Sequence, residues 1–319
     1  MWNRPGSSLT TRARRRYLPC RWGIFFLLSA TCGGGYIQSR VEEQTDIAAV
    51  LRSCGAFEVG INVAREDDSA IFPDYITDVM FLADHIFVLS LNGCKTSLRG
   101  DLVRKTTCVL GERLDSCAPL EFRTGSYKHA MKVSFMHAVV LHVAKQSGLR
   151  HALVIEDDIS VHVRDYSHEF VTDVAALLNS DAWSLIRFGF RPYFLESEGA
   201  SPCSSVCRCK VGQFGHHLCG LRRSGCDLRS SDFYFINSNV FLKLRDKILD
   251  RKQPTTRRII DVHPMRSFPN QWLVLPQVSS QNVLDIPVDY QIGLGAAYVH
   301  KCVGPRPLPK TLLQQKVSS

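Results

Sequence analysis

The stretch HALVIEDDIS, residues 151–160, constrains this chain more than any other, because an apolar run stops abruptly at three consecutive acids, Glu156, Asp157 and Asp158. The four apolar residues at 152–155 have the pattern of a strand covered on both faces, and Gly148, Leu149 and Arg150 supply the turn before it. Such a strand delivers its carboxylates to one place. Side-by-side carboxylates repel one another unless something positive neutralises them, and a divalent cation does so best through oxygen ligands. Taken alone, the triplet reads first as a solvated loop that simply ends the strand. The rest of the chain reverses that order.

With 319 residues, 45% of them hydrophobic and 22% charged, the chain has ordinary globular composition and room for one large domain or two smaller ones. The net charge of +9 points to an acidic partner, although part of it sits in the tract Arg12, Arg14, Arg15 and Arg16. No helix-length basic face interleaved with aromatics is present, which argues against nucleic acid and leaves an anionic small substrate or a membrane surface. Of twelve cysteines, five (Cys203, Cys207, Cys209, Cys219 and Cys226) fall within residues 201–227, as suits an oxidising compartment. Cys207, Cys209, His216, His217 and Cys219 are zinc-capable types, but CxxxCxC is no common structural-zinc spacing, so disulfides are the better reading. Five cysteines cannot all pair among themselves, which requires a partner such as Cys302 or a free thiol.

The N-terminus points to the same compartment. Residues 22–37, WGIFFLLSATCGGGYI, are uncharged and mostly apolar, with the arginine tract before them and Arg40, Glu42 and Glu43 after. By the positive-inside rule the basic flank stays cytosolic, giving a single-pass type II topology with the body in the lumen of the Golgi or endoplasmic reticulum. The segment is short against the roughly 20 residues of a spanning helix. A signal anchor is the preferred reading and a cleaved signal peptide its competitor.

Along the chain, residues 1–21 read as a cytosolic tail, 22–37 as the anchor and 38–83 as a stem. A domain follows at 84–304, carrying the cysteine-rich insertion 201–227, with a tail at 305–319. Within the domain, residues 84–91, DHIFVLSL, predict a strand broken by Asn92 and Gly93. Asn92, Lys95 and Arg99 then lie where an open α/β sheet holds a phosphate or nucleotide ligand. For Lys95 and Arg99 the alternative is a solvated helix start. The apolar spacing Met131, Phe135, Ala138, Val139, His142 and Val143 predicts an amphipathic helix over 128–146, with His137 off the centre of its stripe. A helix at 170–178 and strands at 183–190, 232–237, 257–262 and 272–278 follow, with a helix at 240–249. This alternation predicts an α/β fold with a mostly parallel sheet and flanking helices.

With these residues in hand, the chain resembles glycosyltransferase family 25, which includes lipooligosaccharide and procollagen galactosyltransferases. HIFVLSL, the histidine-bearing SFMHAVVLHVAKQSG, ALVIEDD, WSLIRFG, DFYFINSNVFLKL and IPVDYQI follow in the family's order over residues 84–302. The interval from His137 to Glu156, 156 − 137 = 19, is the one the family leads us to expect. Phe135 and Met136 separate Ser134 from His137, and the basic pattern after the first strand is thinned to Lys95 and Arg99.

The resemblance implies a GT-A type, Rossmann-like fold in which Glu156-x-Asp158 holds Mn²⁺ or Mg²⁺ against the diphosphate of a nucleotide sugar, UDP-galactose above all. Asp158 would be the direct ligand, with Glu156 acting directly or through water. Asp157 would contact the ribose or sugar, and His137 would belong to the donor site. Inverting transfer needs a carboxylate to deprotonate the acceptor hydroxyl of a glycan or glycoprotein. Asp289 and Asp261 are the candidates, each of which could equally be a turn or strand-end cap. Two other classes compete: a non-catalytic, cysteine-stapled glycan-binding protein, and a phosphoryl-transfer enzyme, against which stands the lack of a Walker loop.

Overall fold

A computed structural model describes residues 57–59, 72–91, 93, 94, 98, 100–116, 118–161, 166, 168–192, 209–221, 228–275 and 277–281. The expected N-terminal anchor, the C-terminal tail, about half of the cysteine-rich insertion, and Asn92, Lys95, Arg99 and Asp289 lie outside them. In chain order the strands are β1 (Phe57–Val59), β2 (His85–Ser90), β3 (Thr106–Leu110), β4 (His151–Glu156), β5 (Ile159–Val161), β6 (Leu185–Arg187) and β7 (Arg191–Pro192). They continue with β8 (Cys209–Val211), β9 (Leu218–Leu221), β10 (Leu228–Arg229), β11 (Phe233–Asn237), β12 (Gln271–Val274) and β13 (Ser279–Gln281). The helices are α1 (Asp74–Phe81), α2 (Gly100–Arg104), α3 (Gly111–Leu114), α4 (Lys128–Gln146), α5 (His168–Leu178), α6 (Phe241–Leu249) and α7 (Thr255–Arg258).

Nine strands form one sheet in the order β1-β3-β2-β4-β11-β6-β12-β9-β8. The fold is α/β, but the sheet is mixed rather than mostly parallel. Only β2 with β3, β2 with β4, and β6 with β12 run parallel, because β11 enters antiparallel to both β4 and β6. Antiparallel β1, β9 and β8 complete the edges. Two pairs stand apart from the sheet, β10 with β7 and β13 with β5.

The central strands are buried on both faces, which is why HIFVLS and HALVIE read as continuous apolar runs rather than as alternation. Phe87, Leu89, Ala152, Val154, Tyr234 and Ile236 pack on one face with residues of α4 and α6. Ile86, Val88, Leu153, Ile155, Phe233 and Phe235 pack on the other with residues of α1 and α5. The α4 stripe of Met131, Phe135, Ala138, Val139 and His142 is buried as its spacing predicts. Gly148 ends that helix at φ 68, with the Leu149 N–H donating to the Ala144 carbonyl (3.1 Å) and the Gly148 N–H to that of Lys145 (3.2 Å). This left-handed stop turns the chain directly into β4.

The stretch read as a stem contributes to the fold. Phe57–Val59 pairs with β3, and α1 buries Ile76, Val79 and Met80 completely. The strand expected at 257–262 is instead the short helix α7 followed by turns. Pro254 starts that helix, and Ile259 and Ile260 enter the core from the turn after it, a placement that a short apolar pair cannot encode by periodicity. Cys94 and Cys108 form a disulfide that ties the segment after β2 to β3, and Cys219 is also disulfide-bonded. Among the described residues no helix is long and apolar enough to cross a membrane.

A candidate active site of clustered carboxylates

The chain runs from β2 outward to β3, then returns through α4 to place β4 on the other side of β2. The strand order therefore reverses between β2 and β4. In open α/β sheets, the carboxyl ends of two such strands border the crevice where ligands bind. Here those ends are Ser90 and the triplet Glu156, Asp157 and Asp158. The Ser90 hydroxyl donates to Oδ2 of Asp157, and the Asp157 N–H donates to the Leu89 carbonyl (3.0 Å), so the two strand ends are joined.

The three acids occupy different environments. Asp157 and Asp158 are exposed, whereas Glu156 is buried. Oε1 of Glu156 takes hydrogen bonds from Ser231 Oγ (2.8 Å) and His137 Nε2 (3.1 Å), while His137 Nδ1 meets the Tyr234 hydroxyl at 2.7 Å. His137 therefore lies in the core with both ring nitrogens engaged within the protein.

A fourth acid joins the group, one that sequence reasoning passed over. Because β11 runs antiparallel to β4, with Phe233 opposite Ile155, the residue before β11 falls beside the residue after Ile155. That residue is Asp232, whose carbonyl accepts the Glu156 N–H at 2.7 Å. Its carboxylate is fully buried and accepts from Ser230 Oγ (2.5 Å) and Ser279 Oγ (3.3 Å). Gly189 leaves room for it: a Cβ there would lie 2.4 Å from Asp232 Oδ2 and 2.6 Å from Ser279 Oγ. Ser230 holds φ at 86°, a left-handed conformation that non-glycine residues rarely adopt and that clusters at functional sites.

The electrostatics follow from this crowding. Although Asp158 is exposed as a residue, its carboxyl lies close enough to the protein to lose part of its hydration, and this, then the charges of Glu156, Asp157 and Asp232, raise it to about 7. Burial raises Asp232 to about 6, with the Ser230 hydrogen bond holding it down and Glu156 pushing it up. Asp261 is raised by burial and by Glu156, against a backbone hydrogen bond from Ser230 and the charges of Arg229 and Arg187. Arg187, fully buried on β6, donates through Nη1 to the carbonyls of Leu228 (2.9 Å) and Ser230 (3.3 Å). Burial lowers it to about 10, while Asp261 and Asp232 act to keep it charged.

No protein-family model matches the chain. No curated protein matches it either. The functional reading therefore rests on the chemistry of the site. Its donors are all carboxylate oxygens, the class that suits Mg²⁺ or Mn²⁺ rather than zinc or copper. Among the described residues, no three His, Cys, Asp or Glu side chains are arranged to hold a metal ion by themselves. Mg²⁺ usually binds through one or two carboxylates together with substrate phosphates, so Asp158 and Glu156 are the residues that could share such an ion.

Of the residues singled out by sequence, the structure gathers Glu156, Asp157, Asp158, His137 and Asp261 in or beside one cluster. Asp232, Ser231, Tyr234, Ser90 and Arg187 are the members that sequence reasoning missed. The available signal was the acid opening DFYFIN, which mirrors the acids closing ALVIEDD.

Proposed function

We propose that the protein is a metal-assisted glycosyltransferase that moves a hexose, galactose first among them, from a nucleotide diphosphate sugar to a hydroxyl of a glycan or glycoprotein. The observation that carries this reading is the convergence of four carboxylates at the carboxyl ends of β2 and β4, where the strand order reverses. Self-repelling acids at a ligand crevice need a cation, and a nucleotide sugar supplies the phosphates to complete its coordination. The resemblance to glycosyltransferase family 25, and through it to a GT-A type fold, supports the same reading.

Asp158 and Glu156 would hold Mn²⁺ or Mg²⁺, which when bound stabilises the charge on the departing diphosphate. Asp158 is exposed and would face the ligand, while buried Glu156 would fix the inner side of the cluster. Asp157, held by Ser90, would receive the ribose or sugar. As the acceptor oxygen forms its bond to the anomeric carbon, the bond to the diphosphate breaks and the nucleotide leaves with the electron pair. The acceptor proton passes to a general base. Asp261, whose carboxyl is pushed up from the usual range, is the candidate among the described residues, and Asp289 remains the candidate outside them.

The disulfides Cys94–Cys108 and that of Cys219 support a lumenal domain in the secretory pathway, anchored through residues 22–37. The purified full-length protein is expected to release nucleotide from one member of a nucleotide-sugar panel, UDP-galactose first, in the presence of Mn²⁺. Equal turnover in EDTA would remove the metal from this reading. Absence of turnover with every donor, combined with binding of glycans, would replace it with a glycan-binding protein.

A further inference from the structure

We propose that His137 is a positioning residue: with Tyr234 and Ser231 it forms a buried brace that fixes the Glu156 carboxylate beside the cation. The inference rests on the metal-assisted reading above. His137 comes from the middle of α4, and Ser231 and Tyr234 from the chain entering β11: His137 and Ser231 meet on Oε1 of Glu156, and Tyr234 meets the far ring nitrogen of His137. His137, Tyr234 and Ser231 are all buried. They lie among the side chains of α4 and the central strands, in surroundings where an apolar residue would pack without needing a partner.

The hydrogen-bond inventory sets the direction of the chain. Glu156 Oε1 also accepts from Ser231, so the carboxylate acts as acceptor on this side. In the neutral imidazole, an Nε2–H that donates to Oε1 leaves Nδ1 to accept the Tyr234 O–H. Tyr234 thereby locks the imidazole tautomer, and the imidazole locks the plane of the carboxylate. The two rings also stack, with centroids 5.7 Å apart and planes 27° apart. The far end of the chain stops at a tyrosine buried in the sheet, so it leads to no solvent. The brace holds geometry and carries no proton through. Outer partners of this kind are commonly worth about 10–100-fold in metal affinity or activity.

The test titrates Mn²⁺ into the full-length protein saturated with UDP, by calorimetry and by Mn²⁺ paramagnetic resonance, alongside thermal melting. His137→Phe keeps an aromatic ring and removes both hydrogen bonds. It is expected to weaken Mn²⁺ binding about 10-fold or more. His137→Gln, whose amide can still donate to Oε1, is expected to recover most of that loss. Tyr234→Phe frees the tautomer and should fall between wild type and His137→Phe. In turnover, kcat should fall while the acceptor KM stays unchanged. A His137→Phe protein that binds Mn²⁺ as wild type does, whatever its melting temperature, would show that the histidine only fills space. If that variant does not fold, wild-type affinity in both Tyr234→Phe and Ser231→Ala overturns the brace equally. Wild-type protein that binds no Mn²⁺ with UDP present would instead overturn the parent reading, and the brace with it.

Discussion

The two ends of β2 and β4 treat their carboxylates in opposite ways. At the amino ends, Asp84 accepts hydrogen bonds from the backbone of Arg150 (2.9 Å), the Arg150 side chain (3.1 Å) and the backbone of His151 (3.3 Å). Burial acts to raise its pKa, but those bonds and the charge of His151 outweigh it and the net shift is downward. At the carboxyl ends, burial first and the charges of neighbouring acids second move Asp158 and Asp232 upward, to about 7 and about 6. The first arrangement joins the strands. The second crowds acids together, the kind of perturbed cluster on which the proposed ligand site rests.

The largest expected effect separates the two ends by activity. Asp158→Asn should reduce Mn²⁺-dependent transfer at least ~10²-fold, measured by nucleotide release, while the protein stays folded. Asp84→Ala should do the reverse. Loss of hydrogen bonds to a charged group should lower unfolding stability by about 1.5–3 kcal/mol in urea titrations, with turnover per folded molecule retained. A loss of transfer in the folded Asp84 variant would show that the amino ends serve the chemistry as well.

Steric closure at the carboxyl end comes next. Gly189→Ala places a Cβ against the Asp232 carboxylate and should cost about 1–3 kcal/mol, together with part of the activity.

The two ends also predict opposite pH trends. Asp158 and Asp232 hold their protons in the folded state after the unfolded chain has released its own near pH 4. Without metal, these groups therefore make stability fall as pH rises from about 4 to 7. Asp84, with its folded pKa depressed, contributes stability above its unfolded pKa that is lost as pH falls through the folded one. Mn²⁺ should accordingly raise the melting temperature more at pH 7.5 than at pH 5, and an equal shift at both would detach the acids from the metal.

The smallest effect tests a region outside the comparison. Gly148→Ala forces a side chain into a left-handed position and should cost about 1 kcal/mol, without changing Mn²⁺ binding.

Much of the scaffold was legible in the residues. HIFVLS and HALVIE announced strands buried on both faces, and the spacing from Met131 to Val143 announced α4. The contributions of Phe57–Val59 and α1 were not legible, because a short strand and a short helix are recognisable mainly by what they pack against. The helix α7 stands where residues 257–262 predict a strand, for the same reason. Within the site, the triplet was plain, while Arg187 and Ser90 carried no local signal at all.

Local periodicity and the stop at Gly148 determined by themselves that a buried strand would end in Glu156, Asp157 and Asp158, because both are encoded within a few residues of chain. Only the tertiary structure decided what would face them. Strand direction is set by how the chain returns to the sheet, and no pattern inside DFYFIN records it. In a parallel β11, Asp232 would stand at the other end of the strand, about 17 Å away. The antiparallel entry of β11 brings Asp232, Ser231 and Tyr234 to Glu156, and turns three acids at a strand end into a braced cluster of four.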